Sequence, residues 1–256
     1  MNRNELALDV NELTVSYGGL LAVSGASINV APGEVVGLIG PNGAGKTSLI
    51  DAITGFTSSR GRIAVDGVSV TGLSAHRRTR LGLSRTFQSV ELFDDLTVSE
   101  NLLVAASDPT WWSPLMHMVA PNFGRGNGAA GVEWALDAVG LSAFGESLPT
   151  SLSHGQRRLV GVARALVRRP EVILLDEPAA GLDTQESKLL GNRIKEIAAM
   201  GIGVLLVDHD MGLVLSTCDR ISVLNFGEII AVGTPAEIRN NKLVLQAYLG
   251  TARSEI

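Results

Sequence analysis

The sequence predicts an α/β fold built on a mostly parallel sheet covered on both faces, and three observations carry that prediction. A short apolar, β-branched run, Glu34-Val-Val-Gly-Leu-Ile39, leads through a glycine-rich turn into helical spacing over 48–54. From residue 157 onward, helical segments alternate with the buried-strand runs Val172–Leu175, Gly203–Val207 and Arg220–Leu224, the order expected of a parallel sheet with helices on its faces. Residues 6–30 and 62–70 alternate apolar and polar side chains instead, which predicts a separate antiparallel layer.

Taken in order, Leu6, Leu8 and Val10, then Leu13 and Val15, and later Ile28 and Val30 give the period of two of half-buried strands, with Tyr17-Gly18-Gly19 as a turn between them. Arg62 to Val70 has the same character and turns at Asp66-Gly67. Residues 73–106 become helical, broken near Phe87–Asp95. The stretch 107–131 is rich in Pro, Gly, Asn and Trp without clear periodicity and reads as an irregular insertion. Helical spacing returns over Val132–Val139.

Bulk composition narrows the classes. A chain of 256 residues holds one large α/β domain or two small ones. Hydrophobic content is 45% and mean hydropathy +0.25, yet the longest apolar runs are strand-length, far below a membrane span. The N-terminus, Met1-Asn-Arg-Asn-Glu-Leu6, has no apolar core of a secretory signal. The single Cys218 forms no intrachain disulfide, fits a reducing compartment, and reads as a small packed residue in preference to a nucleophile. A net charge of -5 with a pI near 5.4 argues against broad nucleic-acid binding. Arg77-Arg78-Thr79-Arg80 with Arg85 is a local basic exception, read as a solvated helix face in preference to a phosphate contact.

Gly40-Pro41-Asn42-Gly43-Ala44-Gly45-Lys46-Thr47 matches G-x-x-x-x-G-K-[ST] between the predicted strand and helix. Such a turn aims several backbone N–H groups at one point, and the helix N-terminus adds partial positive charge, so a polyphosphate binds there. Lys46 would reach the β- and γ-phosphates, and the Thr47 hydroxyl would ligate Mg²⁺. The 29 glycines make a chance match easier, but lysine occurs only at 46, 188, 195 and 242. A nucleoside triphosphate is therefore the expected ligand.

Val172-Ile-Leu-Leu-Asp176-Glu177-Pro178 is an apolar strand ending in two carboxylates. Asp176 suits Mg²⁺ held beside the phosphates, and Glu177 suits the polarisation of an attacking water; a solvated acidic turn is the bland alternative. Val204-Leu-Leu-Val-Asp208-His209-Asp210 repeats the design, with His209 either structural or a donor to the γ-phosphate. Leu152-Ser153-His154-Gly155-Gln156-Arg157-Arg158 reads as a helix start capped by Ser153, or as a second anion site. Gln88 is a neutral residue placed to bridge Mg²⁺ and water, and alone it is uninformative.

The order Gly40–Thr47, Gln88, Leu152–Gln156, Leu174–Pro178, Ala180-Gly-Leu-Asp183, His209 resembles the ATP-binding cassette (ABC) ATPases over nearly the whole chain. The Leu-Ser-x-Gly-Gln element is its specific part. The resemblance implies a single domain over 1–256: a RecA-like, mostly parallel core sheet with an antiparallel β layer over 6–87 and 166–250, and a helical subdomain over 88–165. It implies ATP and Mg²⁺ as cofactors, with Gly40 to Thr47 and Ser48 around the phosphates and Tyr17 stacked on adenine, a contact of about 1–3 kcal/mol. Glu177, His209, Lys46 and Gln88 are the implied catalytic set, and Thr47, Gln88 and Asp176 the implied metal set. Ser153, Gly155 and Gln156 match the signature that contacts the γ-phosphate bound to an opposite subunit, and Asp183 matches the loop crossing between subunits. The commonest signature has glycine where this chain has His154. Gly155 keeps the close backbone approach, and His154 raises the prospect of a pH-sensitive site.

A closer resemblance is to the ATP-binding subunits of branched-chain amino-acid-type importers. It rests on Arg85-Thr-Phe-Gln-Ser-Val-Glu-Leu-Phe-Asp-Asp-Leu-Thr-Val-Ser-Glu-Asn101, Asp208-His-Asp-Met-Gly-Leu-Val214, and Gly233-Thr-Pro-Ala-Glu-Ile-Arg-Asn-Asn241 with Ala247-Tyr-Leu-Gly250. It implies a peripheral place on the cytoplasmic face of the cell membrane. The implied partners are integral-membrane permease subunits, reached through Gln88 and Val90–Leu96, a second ABC ATPase subunit (a paralogue in preference to self), and an extracytoplasmic solute-binding protein; nucleic acid is not expected. Trp111-Trp112 reads as packing within the insertion or as a membrane-partner contact. The short tail after Gly250 leaves no room for a regulatory domain. Urea or amide import, export of a lipid or drug, a soluble repair or translation ABC protein, and a slow nucleotide-dependent regulatory module are the rival readings.

Overall fold

The computed structural model describes residues 5–87, 91–107 and 125–251. The chain divides into two compact units, Met1–Gln88 with Pro170–Ile256, and Ser89–Arg169.

The first unit is built on two sheets. The larger has six strands in the order β10 (Glu228–Gly233), β9 (Arg220–Asn225), β3 (Val35–Ile39), β8 (Gly203–Val207), β7 (Val172–Asp176), β6 (Leu83–Arg85). All its pairings are parallel except β10 on β9. β3 and β8 are buried along their whole length, and β7 is buried up to Leu175, which is why these runs are apolar without alternation. The smaller sheet is antiparallel, in the order β2 (Leu20–Val30), β1 (Leu8–Tyr17), β4 (Arg60–Val65), β5 (Val68–Ser69). Its β4–β5 turn puts Asp66 at φ 45° and Gly67 at φ 73°, the primed geometry that Asp-Gly favours.

Helix α1 (Lys46–Thr54) follows β3 and buries Leu49, Ile50, Ala52 and Ile53 in one cluster with Leu8, Leu13, Leu38, Ile63 and Leu174. Each fully buried Leu or Ile contributes about 1.5–3 kcal/mol, so the helix that carries the glycine loop is fixed by its packed face. Cys218 is buried, and a Cβ on Gly37 would stand 2.9 Å from its sulfur. Burial pushes its thiol up to about 12, which leaves it a packing residue, as expected.

Three departures from the sequence expectation are informative. The stretch 73–106 is not continuously helical: α2 (Ala75–Arg80) is short, strand β6 follows, and α3 (Val98–Ala106) starts only at Val98. The basic run is not wholly a solvated face. Arg77 and Arg80 are exposed, but Arg78 is 4% exposed and donates to the carbonyls of Ala52, Ile53 and Leu73, so it closes the C-terminus of α1. Arg85 is largely shielded as well, its side chain 9% exposed, in an ion-pair network described below. The third departure is a helix that begins early: α4 (Arg125–Ala138) includes the end of the expected irregular insertion, while 108–124, with Trp111 and Trp112, lie outside the described residues.

The second unit packs α3, α4 and α5 (His154–Leu166) against one another, with Leu102, Val132, Leu136, Val160 and Ala163 all buried. Asn101, fully buried, accepts from Phe93 N and donates to the carbonyls of Phe93, Leu96 and Thr97, which fixes the 93–97 turn at the start of α3. In the first unit, α6 (Thr184–Ala199), α7 (Met211–Thr217), α8 (Pro235–Arg239) and α9 (Lys242–Thr251) complete the described helices. Among the described residues, no helix is long and apolar enough to cross a membrane.

Candidate functional site

The site begins where β3 ends. Gly45 precedes α1 at φ 103°, a left-handed conformation, and a Cβ there would strike the Ala22 carbonyl oxygen. A Cβ on Gly40 would strike the Leu224 carbonyl oxygen. The loop is braced from outside, because Gly227 N donates to Ala44 O at 2.8 Å and Ser24 N to Gly227 O at 2.8 Å. No side chain caps α1, and no acidic residue sits in its first turn, so its leading amides are left for an anion. Lys46 Nζ donates to Gly40 O at 2.6 Å and Pro41 O at 3.1 Å. Burial lowers its pKa, while Glu177 and Asp176 pull it back up. Pro41 and Ala44 are buried, Asn42, Gly43 and Thr47 are exposed, and Ser48 is half-buried.

The adjoining parallel strands deliver the acids. Asp176 ends β7 with its side chain 13% exposed. Glu177 follows at φ 46°, a strained left-handed position for a residue with a side chain, held by its N–H donating to Val207 O at 2.7 Å. Beyond β8, Asp208 is fully buried and accepts from Ala179 N at 3.1 Å and Asp210 N at 2.9 Å. It therefore ties the turn after Glu177 to the segment carrying His209. His209 is 65% exposed, with Nδ1 3.9 Å from Glu177 Oε2 and 3.7 Å from Asp208 Oδ1. The sequence signal for this role of Asp208 is its strand-end place between two apolar runs.

Arg85 does not lie on the solvated face that its sequence context predicts. Its Nη2 donates to Asp176 Oδ2 at 2.8 Å, and its Nη1 donates to Asp51 Oδ1 at 2.6 Å and Thr54 Oγ1 at 3.2 Å. Leu83-Ser-Arg85 is a three-residue strand with one charge and no periodicity, so nothing local in the sequence signals this placement. Tyr17, half exposed at the end of β1, shares a 3.3 Å hydroxyl contact with Thr57. Gln88 lies outside the described residues.

The other anion candidate belongs to the second unit. Ser153 N-caps α5: its Oγ accepts from Gln156 N at 3.2 Å, and Gln156 Oε1 accepts from Ser153 N at 2.9 Å. His154 is exposed and Gly155 half-buried in the same first turn. In the first unit Asp183 likewise caps α6, accepting from Gln185 N and Glu186 N, both at 2.8 Å.

Residues 23–180 match the family model of the ABC transporter, and residues 228–253 match that of the branched-chain amino acid ATP-binding cassette transporter. The chain is 42% identical over 251 residues to the high-affinity branched-chain amino acid transport ATP-binding protein BraF of Pseudomonas aeruginosa, covering 96% of this chain and 98% of the relative. It is 41% identical, with the same coverage, to LivG of Escherichia coli, which carries the same description. Among solved structures it is similar to the ADP conformation of MJ1267, an ATP-binding cassette of an ABC transporter, with TM-score 0.83, 30% identity, and 96% and 100% of the two chains covered. A phosphate loop, two strand-end carboxylates and a capped Leu-Ser-x-Gly-Gln helix, joined to matches of this extent, place the chain in the ABC transporter family of ATP-binding cassettes.

Proposed function

We propose that the chain hydrolyses ATP to drive solute through a membrane permease, and that the solute is a branched-chain or related amino acid. The observation that carries the chemistry is the convergence of Lys46, Asp176, Glu177 and His209 at the ends of the adjacent strands β3, β7 and β8. The amino-acid assignment rests on the C-terminal family match and the two importer relatives.

Open amides of the phosphate loop and the Lys46 ammonium hold the triphosphate, and binding replaces the lysine's contacts to Gly40 O and Pro41 O. Tyr17 stacks on the base. The donors beside the phosphates are hard oxygens, the Thr47 hydroxyl and the Asp176 carboxylate, which suit Mg²⁺; Gln88 completes that set. When bound, Mg²⁺ offsets the phosphate charge. Glu177 accepts a proton from water as the water oxygen bonds to the γ-phosphorus and the bond to the ADP oxygen breaks. Lys46 and His209 stabilise the developing charge. Ser153, Gly155 and Gln156 serve the phosphate of a second cassette, and Asp183 lies in the loop between the two. Closure of the pair passes through 88–96 to the permease, on the cytoplasmic face of the membrane, and an extracytoplasmic protein delivers the solute.

The test is capture of the tagged Glu177→Gln chain from its native membranes in mild detergent with Mg-ATP, followed by identification of what copurifies. A polytopic permease and a second small ATPase are expected. Recovery of soluble partners alone would overturn the transport role and leave the ATPase chemistry standing.

A further inference from the structure

We infer that Arg85 is a positioning residue for metal-dependent nucleotide binding: a fixed guanidinium that holds Asp176 and ties it to the helix of the phosphate loop. The inference rests on the reading of Asp176 as the metal-binding carboxylate.

Arg85 is fixed from several sides. Nη1 is held by Asp51 Oδ1 at 2.6 Å and Thr54 Oγ1 at 3.2 Å, both on α1, and the side chain is 9% exposed. Its guanidinium carbon lies 5.2 Å from the ring centroid of Phe87 and 5.9 Å from that of Phe56, and the two rings meet edge to face at 5.8 Å. The group is therefore anchored without Asp176, and Nη2 is then aimed at Asp176 Oδ2 at 2.8 Å. A planar fork that bridges two carboxylates is a task for arginine, not lysine.

The neighbouring residue reinforces the hold. Thr86 N donates to Leu174 O at 2.9 Å, and Asp176 N donates to Thr86 Oγ1 at 3.2 Å. Asp176 is thus gripped by its side chain from residue 85 and by its main chain from residue 86. A carboxylate offers about four lone-pair sites, so accepting from Arg85 on one oxygen leaves capacity for a cation. Because α1 also carries Lys46 and Thr47, one guanidinium sets the carboxylate in register with the phosphate loop. Among the described residues, the buried Nε of Arg85 has no hydrogen-bond partner, a cost accepted for the aim of the two Nη groups.

The experiment measures ATP affinity of the full-length chain in Mg²⁺ and in EDTA, for wild type, Arg85→Met and Arg85→Lys, with thermal melts as the check on folding. The readout is the ratio of the EDTA Kd to the Mg²⁺ Kd. Arg85→Met is expected to leave the EDTA affinity unchanged and to lower the ratio by about tenfold or more, as for loss of other outer-shell partners of a metal ligand. Arg85→Lys, which keeps the charge but not the fork, is expected to lower it less, and it decides the matter if the Met variant does not fold. A wild-type ratio in either folded variant overturns the inference, and so does an equal loss of affinity with and without Mg²⁺. If wild type itself shows no Mg²⁺ dependence, the reading of Asp176 falls and takes the inference with it.

Discussion

The starts of α1 and α5 are both helix N-termini with glycine nearby, yet they are finished in opposite ways. At α1, Gly45 takes a left-handed conformation, no side chain caps the helix, and the loop is braced from outside by Gly227. At α5, Ser153 and Gln156 close the helix on itself through a reciprocal capping box. An open N-terminus keeps its amides and dipole for a ligand, whereas a capped one satisfies them internally. On this reading α1 is the primary phosphate site. In the proposed function the α5 turn is a secondary one, whose own cap competes with any incoming phosphate and which a second cassette would complete.

The largest effect expected within this contrast is at the chemistry beside α1. Glu177→Gln should retain ATP binding while phosphate release falls by about 10²–10⁴-fold, the usual share of a general base. Lys46→Ala should lose binding before turnover is reached. Near-normal hydrolysis by Glu177→Gln would remove Glu177 from the role of base. Next in size is Gly45→Ala. The left-handed φ and the collision with the Ala22 carbonyl should cost about 1–2 kcal/mol or more of loop geometry, seen as a loss of ATP affinity of about tenfold in equilibrium binding.

Ser153→Ala sharpens the other half of the contrast. Loss of an N-cap costs about 1 kcal/mol, so the melting temperature should fall by about 2–4 °C, with ATP affinity of the isolated chain unchanged. A matching loss of affinity in the isolated chain would show that the α5 turn binds nucleotide without a partner. The smallest effect is on the alkaline side. Burial holds Lys46 below the ordinary 10.5, and the triphosphate needs its protonated form. ATP affinity should therefore begin to fall with rising pH below 10.5, whereas the burial penalty on the folded chain eases over the same window. Lys46→Arg, with a cation that stays protonated, should remove the alkaline loss.

What the sequence disclosed follows from how local each feature is. The run from Glu34 to Thr54 carries strand, glycine turn and helix in consecutive residues, and the apolar runs ending at Asp176 and Asp208 announce buried strands with polar edges. The cap of α5 was equally visible, because Ser153 and Gln156 are three residues apart. Features settled by distant partners were not. Strand β6 has only three residues and includes a charge, so no periodicity reveals it. The half-exposed edge strand β10 was not foreseen either. Arg78 and Arg85 looked solvated because their acceptors, Ala52, Asp51 and Asp176, lie far away along the chain. The glycines in the first half of α4 obscured its helical spacing.

Uptake is the most direct measurement of the whole. Cells whose only copy of this chain carries Glu177→Gln would be supplied with radiolabelled leucine, isoleucine and valine at low concentration. Uptake should fall to the level of a strain lacking the chain, with the altered protein still at the membrane and still able to bind ATP. Uptake equal to wild type would contradict the proposal that ATP hydrolysis at the ends of β7 and β8 drives import of these amino acids.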